Sequence, residues 1–298
     1  MLFPKTGRPM VERLTHLSLF IVCLTILPPR LFSGSSELAP LQLFLEKMIE
    51  NQKQNRLLEM SYTYEMKKQT QVLDRGQPTE TKRETFEVIP LEDGDYKRRI
   101  EKDGKVLSES ERQKEQAKLE EEFKKRAGLS ETEKAKLEKK RNERRQKEEK
   151  LWTEVLRAFD FRQAGQEEHQ GRITRIIDFY PRTGYEPPKE YGDFRLLKKV
   201  KGRIWVDEVD FQICRGNVEF IEDFKLGAGL VVKINQGATY SVLQSKINDE
   251  VWLPAHDEIT AQGRLFLFKG FGLKIVNDYS GYRRFETEVN LRPTEGGP

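Results

Sequence analysis

The chain has 298 residues, of which 34% are charged and 36% hydrophobic, and its 53 Lys/Arg against 49 Asp/Glu give a formal net charge of +4. That length allows one large domain or two small ones, and the charge level points to a solvated excursion outside the core. Two cysteines exclude a disulfide framework and any multi-cysteine zinc site, three histidines leave little room for histidine-based metal or triad chemistry, and no stretch reaches the roughly 20 apolar residues of a membrane span.

Residues 1–35 read as a secretory leader. Lys5, Arg8 and Arg13 make a basic start, and Leu14 to Leu27 is an uncharged, mostly apolar run of 14 residues. Pro28-Pro29 then breaks any helix, and Ser33-Gly34-Ser35-Ser36 supplies small residues for cleavage near Ser35. An uncleaved membrane anchor is the alternative. The leader holds four Lys/Arg and one Glu, so the remaining chain carries a net +1. Charge therefore gives no support to nucleic-acid binding. Outside the leader the one cysteine is Cys214, expected as a small buried hydrophobe in a strand.

Pro40 to Asn51 has the helical period, with Leu41, Phe44, Leu45, Met48 and Ile49 on one face. From Glu59 to Lys67 the period changes to two. Met60, Tyr62, Tyr64 and Met66 alternate with polar residues, as on a half-buried strand. Phe86 and Val88 mark a second strand, and Asp93-Gly94 and Asp103-Gly104 read as type I′ hairpin turns.

Ser108 to Lys150 is different, with 15 Lys/Arg and 12 Asp/Glu and no proline. Ser108-x-x-Glu111 and Ser130-x-x-Glu133 fit capping boxes, and Gly128 separates them, which predicts two helices. Interspersed charge predicts a solvated insertion held by i,i+4 ion pairs rather than a nucleic-acid arm. The second helix should run on through Leu151, Trp152, Val155, Leu156 and Phe159, a full apolar face that docks on the sheet. Beyond Gly171 strands dominate: Arg172 to Tyr180, Arg203 to Asp207, Phe211 to Cys214, Val218 to Ile221 after a Gly216-Asn217 hairpin, and Ala238 to Ile247 and Glu250 to Ile259 around Asn248-Asp249. Leu265 to Ile275 reads as one long strand covered on both sides at its start, and Tyr279 to Glu288 as a closing edge strand. The expected fold class is α+β, a curved antiparallel sheet forming a half-open barrel, with an N-terminal helix and a charged helical insertion. Residues 36–298 are expected to make one domain, interrupted by the insertion at 108–150.

Catalytic patterns are sparse. His256 and Glu258 would share a strand face, but no third ligand stands at a recognisable spacing. His169 is expected in a polar loop. Leu226-Gly-Ala-Gly-Leu230 lacks the third glycine and the strand-to-helix context of a nucleotide loop. Neither a metal nor a cofactor is expected. Met60, Tyr62, Tyr64 and Met66, opposed by Phe86 and Val88, combine adaptable and amphipathic side chains. That face suits either an ordinary core or a cavity for greasy ligands.

Several segments resemble the periplasmic lipoprotein carriers LolA and LolB and their lipoprotein-sorting relatives. They are Gly202-Arg-Ile-Trp-Val-Asp207 with the Phe211–Cys214 and Val218–Ile221 strands, Val251-Trp-Leu-Pro254, and Asp278-Tyr-Ser-Gly-Tyr-Arg-Arg-Phe285. The resemblance covers roughly residues 38–107 and 150–288. It implies an incomplete barrel closed by helices, an apolar cavity for acyl chains, no catalysis and a bacterial periplasmic location. The function expected is a non-catalytic carrier or binder of lipid or lipoprotein acyl chains, with the six Met, Tyr, Phe and Val residues as lining. The alternative is an envelope interaction protein whose charged insertion contacts a partner such as a membrane-associated envelope protein.

Overall fold

The computed structural model describes residues 38–91, 94–226, 232–265 and 269–284. The leader and Asp93 of the Asp93-Gly94 pair lie outside them, as do Gly227 to Leu230, Phe266 and Phe268. Helix α1 spans Leu38–Glu59 and outruns its predicted end by two turns. Strands β1 (Tyr62–Asp74), β2 (Gln77–Ile89), β3 (Tyr96–Lys102) and β4 (Lys105–Val106) follow as a meander. Helices α2 (Glu109–Ala127) and α3 (Glu131–Ala158) come next, both with the complete capping boxes read from Ser108/Glu111 and Ser130/Glu133. Then come β5 (Phe159–His169), β6 (Arg172–Pro181), a 3-10 helix (Gly192–Lys199), β7 (Val200–Asp207) and β8 (Ile213–Phe220). The chain continues with β9 (Phe224–Leu226), β10 (Val232–Ile234), β11 (Thr239–Ile247), β12 (Val251–Leu265) and β13 (Lys269–Arg284).

All the strands join one antiparallel sheet in the order β4-β3-β2-β1-β13-β12-β11-β8-β7-β6-β5, with β9 and β10 alongside β12. The sheet is curved but not closed, because β4 and β5 are its two ends and do not meet. The fold class is therefore α+β with an N-terminal helix and an open antiparallel sheet. Type I′ turns form where Asp103-Gly104 and Asn248-Asp249 predicted them, with positive φ at both positions of each pair.

Four local expectations are corrected. Gly216-Asn217 is not a hairpin but lies inside β8, and the β7–β8 turn is at 208–212. Glycine there leaves the pleat narrow: a Cβ on Gly216 would lie 3.3 Å from Val242 Cγ1. Leu265 to Ile275 is not one strand. Leu265 ends β12 and pairs with Lys269 at the start of β13, so the chain reverses between them. Tyr279 to Arg284 is not an edge, because β13 is held between β1 and β12 in mid-sheet. His169 ends β5 rather than sitting in a loop.

The inner face of the sheet carries the main core. Leu41, Phe44, Leu45, Met48 and Ile49 of α1 pack with Leu151, Trp152 and Ala158 of α3 over Ile177, Phe179, Ile204, Tyr240 and Ile259. Two contacts fix α1 across the strand ends. Asn51 Nδ2 donates to the Asp210 carbonyl at 2.7 Å, and Phe44 meets Phe211 with centroids 5.0 Å apart. Asp207, fully buried, accepts a bidentate pair from Arg172 at 2.6 and 2.7 Å and the backbone N–H of Val209 and Asp210. Burial pushes its carboxyl up, but these donors outweigh that and hold it below the usual range. Cys214 is fully buried in β8 and its thiol is pushed up to about 12 by burial.

Candidate functional site: an apolar cavity under two helices

The C-terminal part of α3 is where the highly charged helix becomes a roof. Leu151, Trp152, Val155 and Leu156 recur on one face and look down on the sheet. On another face Glu154, fully buried, ties the roof in place. It accepts from the Tyr185 hydroxyl at 2.9 Å and from Arg157 at 2.7 Å. Lys147 Nζ reaches Asp193 at 2.7 Å and joins α3 to the 3-10 helix, which brings Leu196 and Leu197 to the same space. Met48 and Ile49 close it from α1.

Between these roofs and the sheet lies a cavity of about 120 Å³. Its floor and walls are Phe159, Phe161, Phe179, Val200, Ile204, Ile213, Val218, Phe220, Tyr240 and Ile259. No charged side chain lines it, and its lining includes two side chains with polar tips, the Tyr240 hydroxyl and the Trp152 indole N–H, the latter buried without a hydrogen-bond partner among the described residues. Gly202 makes room for the floor: the Phe179 ring lies across it, and a Cβ there would come within 2.4 Å of that ring. An apolar cavity of ~150 Å³ lined by such residues stays dry and takes up a small hydrocarbon. This one is close to that size and chemistry, and it can do one thing chemically, which is to remove an apolar chain from water.

The six residues singled out from the sequence do not line this cavity. Met60 lies in the turn before β1 and is 45% exposed. Tyr62 is buried with Val251 and Leu253 in a separate small cluster, where its hydroxyl meets Glu250 and Asn248. Tyr64 packs against Tyr279 and Tyr282, with centroids 5.7 and 5.4 Å apart. Met66 stands opposite Phe86, and Tyr64 opposite Val88, so those four do share one face of β1 and β2. That face continues into a polar patch. Met66 also pairs with Tyr279, and Lys68 with Asn277. Asp257, buried, accepts from Asn277 Nδ2 at 2.8 Å and from the Tyr279 hydroxyl. Burial lowers the Lys68 pKa to about 8, with Lys97 adding to the effect.

His256 and Glu258 are engaged with different partners. The His256 Nδ1 pairs with Asp278 at 2.7 Å, while Glu258 pairs separately with Lys274 at 2.9 Å. Among the described residues, no group of three or more His, Cys, Asp and Glu is placed to hold a metal ion, and no helix is long and apolar enough to cross a membrane.

No protein-family model and no curated protein matches the chain. Solved structures do. A DUF1329 family protein from Desulfovibrio piger is 12% identical, with a TM-score of 0.33, over 84% of this chain and 95% of that one. An outer membrane lipoprotein-sorting protein domain from Vibrio parahaemolyticus is 13% identical, with a TM-score of 0.32, over 83% and 94%. A LolA superfamily protein from Nitrosomonas europaea is 9% identical, with a TM-score of 0.28, over 83% and 94%. The chain is similar to these proteins. The second and third carry the names of the group that the sequence segments resemble. At such identities and scores nothing about ligand or partner follows from the likeness.

Proposed function

We propose that the protein is a non-catalytic binder of apolar chains, and that the acyl chain of a lipid or lipoprotein occupies the cavity between α1, α3 and the inner face of β5–β8, β11 and β12. The observation that carries this reading is a space of about 120 Å³, walled by apolar side chains from both helices and the sheet, with no charged residue in its lining. Each buried CH₂ contributes about 0.8 kcal/mol. Affinity should therefore rise about fourfold per added CH₂ until the space is full. The lining holds no carboxylate, imidazole, amine or thiol, so the cavity suits carriage rather than turnover. An exported, periplasmic setting belongs to the same proposal and rests on the leader-like sequence of residues 1–35. Native mass spectrometry of the purified protein tests the reading: co-purified lipid supports it. Absence of lipid together with no uptake of N-phenyl-1-naphthylamine by the delipidated protein contradicts it.

A further inference from the structure

Charge is not evenly mixed along the helical insertion. Helix α2, Glu109–Ala127, holds six Lys/Arg and six Glu and is neutral. Between Lys134 and Lys147, α3 holds eight Lys/Arg against Glu138 and Glu143, a net +6 in 14 residues. Lys136, Lys139, Lys140, Arg144 and Arg145 are all exposed. Lys134 pairs with Glu131 and Lys147 with Asp193, whereas no ion pair is formed by Lys136, Lys139, Lys140 or Arg145 among the described residues.

Lys136, Lys140, Arg144 and Lys147 follow one another by four, four and three residues, so they stand in one row along the helix. At 1.5 Å per residue the row is about 16 Å long. It continues by steps of four as Leu151 and Val155, both of which line the cavity. Like charges at i,i+4 destabilise a helix. A face kept for solvation alone is better served by alternating signs, as on α2. The charge that balances this row has to come from outside the chain.

Clusters of four to eight Lys/Arg are what an anionic bilayer attracts, and each one near the surface strengthens binding about fivefold. No aromatic residue is interleaved with these cations, as base stacking on a nucleic acid would need. The row runs into the lining of an apolar cavity, which favours lipid over an acidic protein. We propose that the row from Lys136 to Lys147 docks the protein on a bilayer bearing anionic phospholipid, one helical turn from the roof residue Leu151. The proposal goes beyond the acyl-chain reading. Vesicle docking and probe uptake are separate measurements, so each reading can fail without the other.

The test uses residues 36–298, which retain every residue the structure describes and drop Lys5, Arg8 and Arg13. Flotation is measured with vesicles of phosphatidylcholine alone or in equimolar mixture with phosphatidylglycerol. Salt is about 0.1 M or about 1 M NaCl, where the screening length falls from about 10 to about 3 Å. One variant, Lys136→Gln/Lys139→Gln/Lys140→Gln, removes exposed charge from α3 and keeps good helix formers. A control, Lys67→Gln/Lys102→Gln/Lys105→Gln, removes the same charge from exposed positions on β1, β3 and β4. Wild type should float with the phosphatidylglycerol vesicles at low salt, not with phosphatidylcholine alone, and should be released at high salt. The α3 variant should bind about 100-fold more weakly, and the control as wild type does. If the α3 variant melts early, a Gly/Ser linker in place of 109–146 should show the same loss. Equal binding by wild type and the α3 variant, equal affinity for both vesicles, or binding indifferent to salt would overturn the proposal. Capture of wild type by polyglutamate without flotation on either vesicle would overturn it too, and make the row a site for an acidic protein.

Discussion

Asn55 holds both backbone groups of Trp252. Its Oδ1 accepts from the Trp252 N–H and its Nδ2 donates to the Trp252 carbonyl, each at 2.7 Å. Trp252 sits at the start of β12, ahead of the point where β13 begins to pair at His256, so this stretch of strand edge would otherwise be open. The last turns of α1 thus take the place of a neighbouring strand. Since α1 also carries Met48 and Ile49, the same contact sets the height of one roof over the cavity.

Replacing Asn55 with Ala should therefore cost about 2–4 kcal/mol, because two buried backbone groups lose their partners. Urea unfolding measures it as a lower midpoint at unchanged slope. A midpoint within experimental error of wild type would show that water serves Trp252 equally well.

Stability should fall on the acid side. Asp207 is held below the usual carboxylate range, its burial outweighed by Arg172 and two backbone donors. A carboxyl whose pKa is lower in the folded state stabilises the fold above its unfolded value of about 3.9 and ceases to do so as pH falls through its folded value. Asp178, lowered by the Arg203 hydrogen bonds, acts in the same direction. Asp207→Asn should flatten the loss of stability below pH about 4 and lower stability at pH 7, because Arg172 is then left without its partner. A parallel acid limb in wild type and variant would contradict this.

The charged insertion should be removable. Between residues 109 and 150, Glu115 and Leu119 are the buried side chains, and ion pairs such as Arg112–Glu109 and Lys134–Glu131 lie in solvent, where each is worth little. A Gly/Ser linker in place of 109–146 should keep a cooperative melt, since Lys147 and the roof from Leu151 onward remain. A non-cooperative transition would make α2 part of the folding unit.

Tyr64→Ala should separate core from site. Tyr64 packs on Tyr279 and Tyr282, away from the cavity. We expect about 3 kcal/mol lost, as for other large aromatic truncations, and probe affinity unchanged. Altered affinity in a folded variant would bring the Met60–Met66 face back as the binding surface.

The local features were the legible ones. Ser108/Glu111 and Ser130/Glu133 carry their helix starts within four residues, and Asp103-Gly104 and Asn248-Asp249 carry their turns within two. The apolar face from Leu151 to Phe159 was readable as a docking face from spacing alone. The pairing of β1 with β13 was not, because nothing local in Tyr279 to Arg284 reports a partner more than 200 residues away. Gly216-Asn217 misled because a turn signal inside a ladder is a close approach of side chains instead. The cavity was hidden for a related reason. Its lining comes from α1, α3, the 3-10 helix and six strands, and a void is a property of how far these elements stand apart. The alternation of Met60, Tyr62, Tyr64 and Met66 reports which side chains share a face. It does not report whether the space above them is empty.

The central claim is that the cavity under Val155 and Leu156 holds an apolar chain, and filling it tests this most directly. Val155→Trp places a large ring in a space of about 120 Å³ while leaving the sheet and the Glu154 contacts in place. Titration of N-phenyl-1-naphthylamine into delipidated wild type and variant, with a series of straight-chain ligands as competitors, is the measurement. The account predicts saturable binding by wild type, competition that strengthens about fourfold per CH₂ before levelling off, and at least tenfold weaker binding by a variant that melts no lower than wild type. Undiminished binding by a folded Val155→Trp protein would contradict it, as would competition that ignores chain length.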